Sequence, residues 1–294
     1  MIDRQEIQIR DPFILVDGET YYLYGTTDKN CWSEEATGFD CYSSRDLEHW
    51  EGPFKAFRPE DGFWADRNFW APEVYAYHGK YYMFASFKAE GVCRGTQVLA
   101  AEQPEGPFIP YSDGCVTPAD WECLDGTLHI DQQGKPWMVF CHEWTQVADG
   151  QMCAVQLNED LTQAVGEPAV LFSASQAPWT RGSENTVAGK KCKVFVTDGP
   201  FLHRTADGTL LMLWSSGGDE GYAIGLAKST TGEVIGPWEH QQKLLFSKNG
   251  GHGMIFRDLK GQLFVTLHSP NQTPHERPCF FAVREEGGTL VLEK

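Results

Sequence analysis

The feature that most constrains this chain is a hairpin unit that recurs along its length. The first copy runs from Ile9 to Thr26, IRDPFILVDGETYYLYGT. Proline after Asp11 keeps that aspartate out of the helical region. Asp17-Gly18 between two strand-like runs is a strong hairpin signal. The unit therefore reads as an acidic head, an apolar strand, a glycine turn and an aromatic strand. Four further copies begin at Glu73, Asp125, Asp198 and His252. With heads at 11, 73, 125, 198 and 252, the spacings are 62, 52, 73 and 54 residues. A second repeat trails the first: Gly52-Pro53-Phe54, Gly106-Pro107-Phe108 and Gly236-Pro237-Trp238, with Gly166-Glu167-Pro168 as a looser copy. These mark outer strands. Repeats of about fifty residues carrying about four strands each are the signature of propeller blades. The expectation is an all-β, five-bladed β-propeller with four-stranded antiparallel blades around a central channel, filling residues 1–294 as one domain. Blades are expected at 9–59, 71–118, 119–172, from 194 and from 249. Residues 1–8 are expected to clasp the ring by pairing with the strand near Cys279 to Leu292, because open sheet edges are a liability. The stretch Ser173 to Lys193 reads as a long irregular connection on one face of the disc.

Composition narrows the partners. A net charge of −17 disfavours nucleic acid and anionic membrane surfaces, and a neutral carbohydrate is compatible with it. No stretch is long enough to cross a bilayer. Nine cysteines, odd in number and without a C-x-x-C pair, argue against a disulfide framework. The N-terminus has no apolar leader segment. Together these suggest a cytoplasmic protein. Oligomeric state is not legible.

In a propeller the first strand of each blade lines the channel, so residues at one register meet around the axis. Asp11, Glu73, Asp125, Asp198 and His252 are the candidates to converge there. Carboxylates held close raise one another's pKa, so one can stay protonated while another stays ionised. Glycoside hydrolysis is the leading chemistry built on such a pair. Asp17, Asp131 and Asp207 lie in turns and read as turn residues. Glu73 is equally able to be structural. His252, between glycines, is placed to ligate a cation directly or through water, though one imidazole would suit Ca²⁺ weakly. The loop PEDGFWADRNFWA carries Trp64, Phe69 and Trp70, which either cap the core or stack against sugar rings. Trp144, after the second strand of the third repeat, and Trp214, on the second strand of the fourth, join Trp64, Trp70 and Glu73 as expected substrate contacts.

The segments RDPFIL, WAPEVY, LDGTLHIDQQGKPWMVF, TDGPFLHR and GGHGMIF resemble the blade heads of glycoside hydrolase family 43, in order and over nearly the whole chain. The resemblance implies an inverting five-bladed propeller acting on arabinofuranosides or xylosides. It implies that Asp11 is the general base, that Asp125 modulates the acid's pKa and that His252 lies near a central cation. It requires no cofactor and allows a structural Ca²⁺ on the axis. One departure stands out. The family's acid sits in Glu-Gly-Pro, and this chain has Asp198-Gly199-Pro200, one methylene shorter. The acid is then Asp198, or another residue such as Glu143 or Glu184 takes the part. The rival readings are a catalytically inactive sugar-binding propeller and a retaining fructosidase-like propeller; the latter's Asn-Asp-Pro-Asn sequence is missing here.

Overall fold

A computed structural model describes residues 1–293. Five antiparallel sheets form the blades of a propeller. Their first strands are Arg10–Asp17, Arg67–Tyr77, Cys123–Ile130, Asp198–Arg204 and Gly251–Arg257. Each first strand packs against those of the neighbouring blades, which places all five around the axis. Blades 2 to 5 have four strands in sequence order, as the hairpin repeats predict. The Gly-Pro repeats fall where the outermost strands begin or run, as expected. The apolar core is divided into wedges between blades. One joins blades 1, 2 and 5, and the others fill the gaps 2–3, 3–4 and 4–5.

Two expectations about the connections are corrected. The N-terminal strand Ile2–Asp3 pairs with His49 and Trp50 on the outermost strand of blade 1, not with the C-terminal strand. The ring is closed instead by smaller contacts. The Arg277 Nε donates to the Gln5 carbonyl (2.7 Å), the Ile9 amide donates to the Glu276 carbonyl (3.3 Å), and Arg10 forms an ion pair with Glu276 (2.8 Å). Two residues of strand cover an edge only briefly, so these bonds and the apolar wedge between blades 1 and 5 carry the closure. The connection after blade 3 is more regular than its sequence suggests. It holds an exposed hairpin, Ser183–Val187 with Lys190–Val194, turning at Ala188-Gly189 with both residues at positive φ. Without an apolar alternation, nothing in its sequence signals a strand pair.

Each first strand carries a bulge at its axial end. Two residues there oppose one on the second strand. The first residue of every bulge is left-handed: Asp11 (φ 53), Ala71 (φ 47), Asp125 (φ 57), Gly199 (φ 50) and His252 (φ 51). A bulge re-aims a side chain toward a site. The repeat heads are thus not all equivalent. Asp11, Asp125 and His252 share one register, whereas Asp198 precedes its bulge and Glu73 follows its own. The polar heads hide the offset, whereas the Pro or Gly that follows the left-handed residue in all five copies carries it.

Candidate active site

The bulge amides face neighbouring blades, and each finds a partner there. Ala71 N–H donates to Thr26 Oγ1 (2.9 Å), Asp125 N–H to Ser86 Oγ (2.9 Å), His252 N–H to Ser215 Oγ (2.8 Å) and Asp11 N–H to His268 Nδ1 (3.1 Å). Thr26, Ser86, Ser215 and His268 hold one register on the second strands of successive blades. In blade 3 that position is Cys141, and a thiol is a weak acceptor. The Gly199 amide donates instead to the Asp125 carboxylate, at 2.9 Å from Oδ2. This bond fixes Asp125 beside the blade-4 head.

The bulges point Asp11, Asp125 and His252 into a pocket of about 240 Å³, and Asp198 lines it as well. His252 Nδ1 lies 3.2 Å from Asp11 Oδ1 and 3.6 Å from Asp125 Oδ2. Thr26 donates to Asp11 Oδ2 (2.7 Å), and the Tyr222 hydroxyl donates to Asp198 Oδ2 (2.9 Å). Burial alone would raise the Asp11 carboxyl. The facing His252 charge and hydrogen bond, with Arg10 behind, outweigh it and hold Asp11 well below the usual carboxylate range. Burial works against the His252 charge, but Asp11 and then Asp125 raise the imidazole to about 10. Burial and the Asp125 charge push Asp198 up to about 7. Burial and the Asp11 charge push Asp125 up to about 6, with His252 opposing. One pocket thus holds a carboxylate kept ionised and another kept protonated up to neutral pH, the division of states that acid–base chemistry requires.

Other expected residues separate clearly. Trp70 and Trp144 line this pocket; Trp64, Glu73 and Trp214 do not. Trp214 is fully buried against Phe172 and Trp179 between blades 3 and 4, so it is a core residue. Trp64 packs on Phe63 and Phe87 and donates its indole N–H to Gln97, lining a different, outlying cavity. Glu73 is buried and accepts a hydrogen bond from the Tyr75 hydroxyl. Burial pushes it to about 7. Of the alternative acids, Glu143 lines the pocket but is ion-paired with Arg94 (2.5 Å), and Glu184 sits on the exposed hairpin.

The sequence reading passed over several pocket residues. Arg10 stacks over Trp32 (4.8 Å), Trp32 meets Trp70 edge-on (5.2 Å), and Arg94 stacks over Trp70 (4.1 Å). This Arg–Trp–Trp–Arg ladder forms one wall, anchored at its ends by Glu276 and Glu143. Trp32 is 52 % exposed. In the sequence its one sign was a tryptophan in the polar loop after the second strand of blade 1. Tyr222 gave no sign, since it lies on the third strand of blade 4 and meets Asp198, on the first strand of the same blade, only once the sheet is paired.

No three His, Cys, Asp or Glu side chains converge as a metal shell among the described residues. Ca²⁺ takes oxygen ligands. His252 offers one imidazole, turned onto Asp11, so a cation on the axis would rest on water oxygens more than on protein. This donor set does not fit a protein-ligated cation.

Residues 6–285 match the family model for glycosyl hydrolases family 43. The chain superposes on the crystal structure of an endo-arabinase from Bacteroides thetaiotaomicron VPI-5482 with a TM-score of 0.90, at 41% identity over 98% of both chains. It is 26% identical over 271 residues to an extracellular exo-α-(1→5)-L-arabinofuranosidase of Cellvibrio japonicus, covering 85% of this chain and 72% of the relative. It is 24% identical over 149 residues to an extracellular endo-α-(1→5)-L-arabinanase of Bacillus subtilis, covering 47% of this chain and 45% of the relative. Two relatives named as extracellular overturn the cytoplasmic expectation and point to secretion. Unpaired cysteines do not fix the compartment: five of the nine thiols are buried, where packing explains them. The chain belongs to family 43 of the glycosyl hydrolases, and is a glycosidase that hydrolyses O-glycosyl bonds in carbohydrate.

Proposed function

We propose that this glycosidase acts on pentose-containing carbohydrate, cleaving α-L-arabinofuranosyl linkages by inversion, with Asp11 as base and Asp198 as acid. The substrate reading rests on the relatives, named as arabinanases and an arabinofuranosidase. The single observation that carries the mechanism is the split between an ionised Asp11 and an Asp198 raised to about 7 on one pocket. Asp198 protonates the departing glycosidic oxygen as the bond to the anomeric carbon breaks. Asp11 takes a proton from the water that attacks from the opposite face. A strongly stabilised carboxylate is a weak base. It suffices here because water adding to an oxocarbenium-like carbon becomes acidic as the bond forms. Asp125, beside Asp198 and tied to the Gly199 amide, keeps the acid's proton on. His252 and Arg10 hold Asp11 ionised. No step is routed through a cation.

Proton NMR of the anomer first released from an α-1,5-linked arabino-oligosaccharide tests this reading. The β-anomer is expected before mutarotation. Initial release of the α-anomer would mean retention and exclude Asp11 as the base of a single displacement.

A further inference from the structure

One register position on the second strand of each blade holds Thr26, Ser86, Cys141, Ser215 and, in blade 5, His268. The Thr26, Ser86 and Ser215 hydroxyls each accept the bulge amide of the next blade, so a small acceptor suffices there. The Asp11 amide asks for no more, yet an imidazole serves it, wholly shielded from solvent. The ring reaches atoms that a hydroxyl at this position would not. We infer that His268 is a positioning residue shared by both carboxyls of the reaction: its Nδ1 holds the backbone of Asp11, and its face seats Tyr222, which aims Asp198. The inference rests on Asp11 and Asp198 being the base and the acid.

Hydrogen bonds at both ring nitrogens set the imidazole. The Asp11 N–H donates to Nδ1 (3.1 Å), so that nitrogen carries the lone pair and the proton sits on Nε2. Nε2 donates to Asn271 Oδ1 (3.2 Å), the oxygen that also accepts from Arg10 (2.8 Å). This pattern needs a neutral ring, and burial together with the Arg10 charge pulls His268 down to about 3. Tyr222 lies on the face of the ring so fixed, with 5.7 Å between centroids and 23° between planes. Gly251, the partner of His268 in the strand pair, makes room for the tyrosine. A Cβ there would stand 2.5 Å from Tyr222 Cε1. From this seat the Tyr222 hydroxyl donates to Asp198 Oδ2 (2.9 Å). A serine at position 268 would still accept the Asp11 amide, as in the other blades, but would leave the face of Tyr222 unsupported. Displacing a reacting group by about 1 Å costs on the order of a hundredfold in rate.

The test compares two leaving groups on one sugar. 2,4-Dinitrophenolate departs from its α-L-arabinofuranoside without a proton, whereas the alkoxide expelled from α-1,5-linked arabinotriose needs the acid. The readout is the ratio of kcat/KM on the aryl glycoside to kcat/KM on the triose, which a general loosening of the fold does not move. His268→Ser keeps an acceptor for Asp11 and removes the ring. It is expected to raise the ratio by roughly tenfold or more, as is Tyr222→Phe, and the double variant should add little to either. His268→Phe keeps a ring and removes the acceptor; it should slow both substrates and leave the ratio within a few fold. Asp198→Asn is the reference for a lost acid. A raised ratio in Asp198→Asn but not in His268→Ser would overturn this inference and leave the acid standing. An unraised ratio in Asp198→Asn would remove the acid reading and the inference with it. Imidazole ¹⁵N NMR of the wild type needs neither turnover nor a folded variant. With Arg10, Asp11 and His252 as its charged neighbours, His268 is expected to stay neutral and protonated on Nε2 from pH 5 to pH 8. Titration in that range, or a proton on Nδ1, would overturn the proposal.

Discussion

At the scale of single residues, the site depends on what faces each carboxyl. Asp11 and Asp198 are the same side chain, yet one meets the His252 charge and the other meets the Asp125 charge. Asp11→Asn removes the proposed base without changing shape. It is expected to lower kcat by roughly 10²–10⁴ on arabino-oligosaccharides while leaving KM within a few fold. The rate should fall as pH rises through about 7, because Asp198 must enter each cycle protonated and its pKa lies there. A pH–rate profile whose alkaline limb stays put in a conservative Asp198→Glu variant would assign that limb elsewhere. The shorter Asp198 is compensated locally: Tyr222 donates to its carboxyl and fixes its direction. Glu143 is held by Arg94 and so is not free to replace it.

At the scale of elements, the five hairpins and their outer Gly-Pro strands were legible because alternation, turn glycines and prolines are local signals. Asp11, Asp125 and His252 could be read for the same reason, each being followed by a residue that marks the bulge. What could not be read depended on contacts between blades. Trp214 and Trp70 look alike in sequence; blade packing sends one into the core and the other to the pocket wall. The register offset of Asp198 and Glu73 lay in the prolines after Ala71 and Gly199, and the strand pairing made it plain. The blade-4 bulge shows how tightly these elements mesh. A Cβ on Gly199 would approach His252 Cδ2 to 2.7 Å, at φ +50. Gly199→Ala is expected to cost about 1–2 kcal/mol from the left-handed backbone alone, plus whatever displacing His252 adds. Gly134→Ala is the control, since Gly134 is also at positive φ but faces open space. Equal urea-unfolding losses in the two variants would mean that His252 yields freely.

At the scale of the whole molecule, the axis concentrates buried acids, and this sets how stability varies with pH. Glu73 and Asp198 both titrate near 7 in the fold, above their ordinary values near 4. Raised carboxyls favour the neutral form, so the stability they permit is whole below about 4 and is lost as pH rises through 7. Asp11 runs the other way, stabilising above its ordinary pKa and less so in strong acid. The His252 contribution is whole below about 6.5 and is lost as pH rises through 10. Glu73 and Asp198 pull the melting temperature down between pH 5 and pH 8, while His129, His240 and His268, kept neutral by burial, pull it up as pH rises, so the test is a single variant. Glu73→Gln, outside the pocket, should recover up to roughly 3 kcal/mol at pH 8 and little at pH 5. A Glu73→Gln melting curve parallel to wild type across that range would show that Glu73 stays ionised.

Each axial head is completed by the blade before it, and for blade 1 that is blade 5. Asp11 receives His268 on its amide and His252 on its carboxylate, both from the last blade. A ribosome therefore makes the base among the first residues and supplies its partners only near the end. A chain interrupted after blade 4 would carry Asp11, Asp125 and Asp198 intact, yet leave the proposed base with Arg10 alone and without the imidazole that faces it. Catalysis in such a molecule waits on the final hairpin, so a half-finished chain is silent toward sugar until the circle is joined.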